Sequence, residues 1–527
     1  MEKNRRAVDF KSGLGTGEDA VKRHADRQDG VRKQKKEEKL ARFRKPAPIR
    51  STFAALLHQY SYTAFIAGDA NALYVLDQIC GVKNDDALND AFPMLLHGAN
   101  GDVGAGIEKL VLLMSTPSPL TERALSILAN LIGAQTQHAF LIAQAMIGCG
   151  FLQHAIKHIQ HENIKWIGDV WGIIANLVCL CTEARDVVIG TPGIFPEAFF
   201  FQVRAGTIHP ATLLLVLCGI VEVGAELPPK EFLISIWPYL VDQVKARQTD
   251  RGAVDYALNA LVSIAMRCKD SEFFAGLVNY NKMEIIPLMF HTIPHVEGVN
   301  QLRICKFLIE VGRLPHIQLH QCAVRAGGIA VMTRIMQDKN KQLRREGMVW
   351  LGNLASEGFE FAELIYNSDA LEPIFTTIRS NDSPHLMRNA IYVLINICRS
   401  CLAYPDRDKT TDILGTLFEN RKVIAITIPC ADAPGCDDLT IDILCLWRNA
   451  LKWNAAVVTP LLEERGGLDK VAILLAHRNT KIYNLAKEIE DITRKHDGME
   501  EDEVAFAPFP TGVSTADPTV FHGGYKF

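Results

Sequence analysis

Nine times along the chain, an apolar segment of helical period carries one small or polar residue in its C-terminal half. The segments are Ala72–Gly81, Ala124–Gly133, Asp169–Val178, Leu213–Val221, Leu258–Ala265, Arg303–Gly312, Gly347–Ser356, Ala390–Arg399 and Ile443–Lys452. The recurrent position holds Gln78, Asn130, Asn176, Gly219, Ser263, Glu310, Asn353, Asn396 and Asn449 in turn, at spacings of 52, 46, 43, 44, 47, 43, 43 and 53 residues. A unit repeated at this interval cannot bury its apolar face alone, so it must stack on copies of itself.

Spacings of about 40–47 residues are those of armadillo and HEAT arrays. Between the recurrent segments the text reads as helix, short turn, helix. Asn176–Ile189, for example, passes through a polar Thr-Glu-Ala-Arg-Asp link. Breakers stand at Gly148-Cys-Gly150, Gly190-Thr-Pro-Gly, Pro228-Pro229 and Gly327-Gly328. No stretch sustains the period-two alternation of a strand. The expected fold is therefore all-α: a right-handed armadillo/HEAT-type superhelical solenoid of about nine to ten helical repeats. Residues 51–497 form the repeats, 1–50 a flexible basic arm, and 498–527 an acidic and then irregular tail. The most apolar run, Ala211–Val221, is ended by Glu222. It is about half of the ~20 residues a membrane span requires, and reads as a buried core helix.

Charge is divided along the chain. Residues 1–50 hold 16 Lys/Arg and 8 Asp/Glu, a net of +8, and the other 477 hold 40 and 52, a net of −12. Such an asymmetry marks an interaction arm on an acidic body. The opening Met1-Glu-Lys-Asn-Arg-Arg leads into no apolar run, so no secretory signal is expected. Thirteen scattered cysteines, an odd number mostly in apolar runs, read as buried free thiols of a reducing compartment.

Three stretches resemble one family, in the family's order. The first is Arg5-Arg6…Phe10-Lys11…Lys22-Arg23…Val31-Arg32-Lys33-Gln34-Lys35-Lys36…Arg42-Phe43-Arg44. The second is Asn176-Leu-Val-Cys-Leu-Cys-Thr-Glu-Ala-Arg185-Asp186-Val-Val-Ile189. The third is Ile482-Tyr483-Asn484-Leu485-Ala486-Lys487-Glu488-Ile489, followed by the acidic Glu500-Glu501-Asp502-Glu503. Together they resemble importin-α, the adaptor that carries nuclear proteins to importin-β. The resemblance implies that Arg5, Arg6, Phe10, Lys11, Lys22, Arg23, Arg32, Lys33, Lys35, Lys36, Arg42 and Arg44 form an importin-β-binding arm. It further implies an inner groove for the basic nuclear-localisation segments of cargo, a recycling exportin at the last repeat and acidic tail, and shuttling between cytoplasm and nucleus. No cofactor is implied.

In such a groove, Asn side chains hold a peptide main chain, and aromatics four residues earlier form slots for lysine stems. Candidate groove residues are Asn130, Asn176, Glu310, Asn353, Tyr392 and Asn396, with Trp171 and Trp350 as nearby indoles. The chain departs from the pattern. The positions four before each Asn hold Ser126, Gly172, Val349, Tyr392 and Cys445, of which Tyr392 alone is aromatic. Trp171 and Trp350 stand five and three residues before their Asn. A one-residue offset turns a side chain by about 100°, so core packing is favoured over the groove for both. Leu180 replaces the acid the family places four after Asn176. The family's arm also folds back as pseudo-cargo, but here Phe43 interrupts the basic run between Arg42 and Arg44, which weakens the expected self-binding.

Other chemistries fit less well. His154, His158 and His161 share one face at i, i+4, i+7 but lack a His-Glu-x-x-His pattern, and read as a solvated or interface stripe. Cys398-x-x-Cys401 and Cys179-x-Cys181 have no second pair at zinc-finger spacing and read as structural thiols. Gly101-Asp-Val-Gly104-Ala-Gly106 has no preceding strand and reads as a connecting loop. Acids interleaved in the arm, Asp26, Asp29, Glu37 and Glu38, disfavour direct nucleic-acid binding. The expected function is a non-enzymatic nuclear-import adaptor. The alternative is an armadillo scaffold for a dedicated protein partner that no longer reads lysine-rich signals.

Overall fold

The computed structural model describes residues 50–81, 91–92, 96, 103–115, 118–133, 138–160, 166–180, 182–192, 194–195, 208–246, 251–380, 383–420, 422–433 and 435–497. The arm before residue 50, the tail from 498, His161, Cys181 and Gly101–Asp102 lie outside them. The chain divides into two units, Met1–Leu88 with Glu501–Phe527, and Asn89–Glu500. The described part of the first contains three helices, Arg50–Gln59, Tyr62–Ala67 and Ala70–Cys80. The second of these is capped by Ser61, whose Oγ accepts from the Ala64 amide, and ended by Gly68 at φ +93°. Gln78 lies on the third.

In the second unit nine helices follow one another at the repeat interval. They are α1 (Pro119–Gly133), α2 (Ile167–Leu180), α3 (Pro210–Glu222), α4 (Arg251–Arg267), α5 (Val299–Val311), α6 (Lys341–Ser356), α7 (Pro384–Ala403), α8 (Asp437–Trp453) and α9 (Thr480–Asp497). Each packs against the one before and the one after, from α1 to α9. Shorter helices flank this column: Ala139–Gly148 beside α1, Lys230–Lys245 beside α4, Phe359–Tyr366 beside α6 and α7, and Ala455–Glu464 beside α8. Among the described residues there is no strand. The fold is thus an all-α helical solenoid of the armadillo type. Every recurrent segment of this unit falls within a column helix or at its end, because apolar period and repeat spacing are both local properties of the sequence.

The helix ends follow ordinary capping chemistry. Asn340 accepts from the Gln342 amide (2.9 Å) at the start of α6, and Pro384 opens α7 behind Ser383. Asp437 and Asp438 lie in the first turn of α8, where the helix dipole favours negative charge. The core runs along the column. Trp171, Trp237 and Trp447 are fully buried. The Trp447 indole donates to Thr427 Oγ1 at 2.9 Å. Pro210–Glu222 is the buried core helix expected of the apolar run. No single described helix is long and apolar enough to cross a membrane.

Three local expectations are corrected. The polar Thr-Glu-Ala-Arg-Asp stretch is no link. It opens the helix Thr182–Gly190, with Glu183 favourably placed in its first turn. Gly104 and Gly106 lie within the helix Val103–Leu112, not in a loop. A Cβ at Gly106 would stand 2.8 Å from the Leu96 carbonyl oxygen, so close helix packing explains that glycine. His158 is not solvated. It is buried, with Nε2 2.6 Å from the Met114 carbonyl oxygen.

Candidate functional site

A column helix has its sides covered by two neighbours and its back by flanking helices, which leaves one stripe to solvent. With the recurrent polar position numbered 0, residues at −8, −7, −4, +3 and +4 share its face. Most of them are half-buried or exposed in the structure. Examples are Ser126 and Asn130 on α1, Gly172 and Asn176 on α2, Asn259 and Ser263 on α4, Lys306 and Glu310 on α5, Asn353 on α6, and Tyr392 on α7.

The expected groove residues divide three ways. Asn130, Asn176, Glu310, Asn353 and Tyr392 lie on this stripe with part of their surface accessible. Glu310 is paired with Arg313 at 2.7 Å. The Asn353 Nδ2 is shielded and has no hydrogen-bond partner. Asn396, by contrast, is only 3% exposed, and its Nδ2 donates to the Gly352 carbonyl at 2.9 Å. Its amide is a bond between α6 and α7 rather than a free clamp.

Trp171 and Trp350 stand apart from the groove and pack in the core, the placement their offsets from Asn favoured. Trp171 is fully buried, edge-on to Phe195 at 6.1 Å between ring centres. Trp350 is 3% exposed and edge-on to Phe290 at 5.4 Å. A Cβ at Gly328 would stand 2.9 Å from the Trp350 ring, so that glycine makes room for it. The Tyr392 ring lies against α6, where a Cβ on Gly352 would come within 2.5 Å of it. The tyrosine therefore forms a wall of the stripe.

Polar contacts join neighbouring column helices along the stripe. Asn259 donates to the Glu222 carboxylate and to Cys218 Sγ. Asn300 donates to the Asp255 carboxylate and accepts from Arg303 at 3.0 Å. Arg267 donates to the carbonyls of Val221, Gly224 and Glu226. Arg388 bridges to Asp442 at 2.9 Å and Asp438 at 2.8 Å. Arg448 and Lys452 share Glu488.

Reading along the stripe also brings out residues that the search for Asn and aromatics passed over. On α1–α4 it carries Glu122, Asp169, Glu222 and Asp255 against Arg123 and Arg267. From α5 to α7 it carries Arg303, Lys306, Arg313, Arg345, Arg388 and Arg399 against Glu310, Glu346 and Glu357. The signal was present in the −8, −7, −4, +3 and +4 positions of the same alignment. The electrostatics follow this division. Partial desolvation and the neighbouring Glu122 charge raise the Asp169 carboxyl. Desolvation lowers Lys306, with Arg345 and Arg303 adding repulsion against the opposing pull of Glu346. Burial raises the Glu346 carboxyl despite Arg345, Lys306 and Arg313.

Among the described residues no group of three or more His, Cys, Asp or Glu is placed to hold a metal ion. Cys398 and Cys401 are buried, and burial raises both thiols, Cys401 to about 12. Cys179 departs from the expected burial and is exposed.

No family model matches the chain. Among solved structures, an engineered protein determined as a Northeast Structural Genomics Consortium target matches with a TM-score of 0.59 at 16% identity, covering 80% of this chain and 98% of its own. A designed armadillo repeat protein in complex with the peptide (KR)4 matches with a TM-score of 0.42 at 15% identity, covering 49% of this chain and 99% of its own. A second designed armadillo repeat protein gives the same values. At these identities the first likeness bears on the fold alone.

Proposed function

We propose that this protein is a non-enzymatic adaptor that holds an extended polypeptide against the exposed stripe of its column helices. Within that class we read it as a divergent nuclear-import adaptor. Its arm, residues 1–50, recruits importin-β, its groove takes a segment of nuclear cargo, and its last repeat and acidic tail meet a recycling exportin as it shuttles between cytoplasm and nucleus. The import reading rests on the ordered resemblance of the arm, the Asn176–Ile189 segment and the final repeat.

The observation that carries the groove is Asn353. Its amide donor is shielded from water and bonds nothing among the described residues. Buried donors are nearly always paired, and a peptide carbonyl laid along the stripe would supply the missing acceptor. Asn130 and Asn176 offer the same carboxamide chemistry on α1 and α2.

The second reading, a scaffold for a dedicated partner, is favoured by the burial of Trp171 and Trp350, which keeps both indoles from forming lysine slots, and of Asn396, which takes away a main-chain clamp.

Two measurements test the proposal. Replacing Arg32, Lys33, Lys35 and Lys36 by Ala in the full chain is expected to abolish capture by purified importin-β. Undiminished capture would remove the arm from the model. Titration of a labelled extended peptide that binds the stripe is expected to show a roughly two- to tenfold weaker complex for Asn353→Ala, the net worth of one hydrogen bond. Equal affinities would remove the clamp.

A further inference from the structure

The stripe changes sign between α4 and α5. We infer that its second half, over α5–α7, is the docking surface for an acidic extended segment of a partner protein, in contrast to the first half, whose charge suits a basic one. The inference rests on the groove reading above and specifies the chemistry of part of that site.

Charge complementarity argues for this occupant. On α5, Arg303, Lys306, Glu310 and Arg313 follow i, i+3, i+7, i+10, so three cations line one helical face with a single carboxylate. That carboxylate is held by Arg313. Among the described residues Lys306 and Arg399 make no ion pair, and Arg399 is exposed. At the far end of the column the pattern differs. Asp438 and Asp442 hold Arg388, while Glu488 holds Arg448 and Lys452. The cations of this half without an ion pair among the described residues are thus Lys306 and Arg399, on helices two steps apart in the column.

An ordinary solvated face would let its cations spread into water. Lys306 instead sits partly desolvated, with Glu346 on one side and Arg345 and Arg303 on the other, and desolvation leaves its ammonium destabilised. Carboxylates laid across α5–α7 would relieve that repulsion. Interaxial steps of about 8–10 Å give a span of roughly 20 Å, which six or seven extended residues cover at about 3.3 Å each. The junction is also marked structurally. Asp255 of the acidic half and Arg303 of the basic half are joined through Asn300.

The test uses the full chain and two labelled peptides of about ten residues, one rich in Glu and one rich in Lys at matched spacing. Fluorescence anisotropy is followed at low and physiological ionic strength. The acidic peptide is expected to bind, with Arg399→Glu weakening it about five- to tenfold, as reversal of one facing charge does at a partly exposed site. Lys306→Gln is expected to weaken it about two- to fivefold. Asp169→Lys leaves it unchanged and weakens the basic peptide instead. Thermal melts followed by circular dichroism confirm that each variant is folded.

Binding of the acidic peptide that neither Arg399→Glu nor Lys306→Gln alters would place it elsewhere, on the basic arm in particular, and overturn the inference. If the basic peptide binds and the acidic one does not, the inference fails while the groove reading stands. If neither peptide binds, both fail.

Discussion

Asn396 and Asn353 occupy the same position of successive repeats, yet the structure gives them opposite roles. The perturbation that separates these roles is alanine at each. At Asn396 the substitution removes a 2.9 Å bond to the Gly352 carbonyl from a site 3% exposed. The bond is worth about 1 kcal/mol net. The lost carboxamide leaves a void of a few tens of Å³, which adds about 0.5–1 kcal/mol. Alanine's better helix propensity returns about 0.6 kcal/mol. The expected net loss is about 1–1.5 kcal/mol, concentrated where α6 and α7 meet. At Asn353 the amide Nδ2 has no bond to lose, so Asn353→Ala is neutral or stabilising by up to about 0.6 kcal/mol. A repeat array does not unfold as one two-state unit, so the assay is hydrogen exchange resolved by segment. Amides of residues 384–403 are expected to exchange about five- to tenfold faster in Asn396→Ala, since about 1.4 kcal/mol is tenfold. Those of 341–356 stay unchanged or slow slightly in Asn353→Ala. Peptide affinity should show the converse, falling for Asn353→Ala and holding for Asn396→Ala. If Asn396→Ala leaves exchange untouched and weakens peptide binding, the structural assignment of Asn396 is wrong and its place in the groove is restored.

Other substitutions test separate parts of the structure. Gly352→Ala would drive a Cβ into the Tyr392 ring, and is expected to cost about 1–2 kcal/mol of overpacking after the propensity gain, read as faster segment-resolved hydrogen exchange around the substitution. Trp447→Phe removes the bond to Thr427 Oγ1 and is expected to cost about 1–2 kcal/mol by the same measurement. Glu346 is raised by burial, so the folded state holds its proton more tightly than the unfolded chain. Its contribution to stability is therefore fully present below the unfolded carboxylate pKa of about 4.3 and falls as pH rises through the raised folded value. Glu346→Gln is expected to raise stability at neutral pH and flatten that decline; a parallel pH profile for variant and wild type would contradict it. Mass spectrometry after mild iodoacetamide treatment should find Cys179 alkylated well before Cys398 or Cys401, which are buried with raised thiols.

The column helices were legible because each depends on a pattern contained in its own residues, apolar spacing plus one polar position. The side-chain placements depend on what a different repeat supplies. Trp350 turns inward because Gly328, earlier in the chain, leaves space for its ring. Asn396 is drawn into the interface because Gly352 on the neighbouring helix exposes a carbonyl and admits Tyr392 beside it. The offset of Trp350 from Asn353 already pointed to the core, but a search for Asn with an aromatic four residues earlier treats each helix in isolation, so it could not register the bond that draws in Asn396. The same narrowness hid the charge reversal, which appears only when equivalent positions of successive helices are compared. The polar opening of Thr182–Gly190 was misread for another reason. Acidic and hydroxyl residues suit both turns and the first turn of a helix, and composition does not choose between them.

The nearest-neighbour packing of α1 to α9 has a mechanical consequence. Tension applied along the column passes through its helix interfaces in series. Each interface yields at its own threshold, as links in a chain do, and a stretched molecule would lengthen in discrete steps. A polypeptide bound across several helices spans those links from outside, so its occupancy would stiffen the segment it covers and leave the remaining repeats compliant.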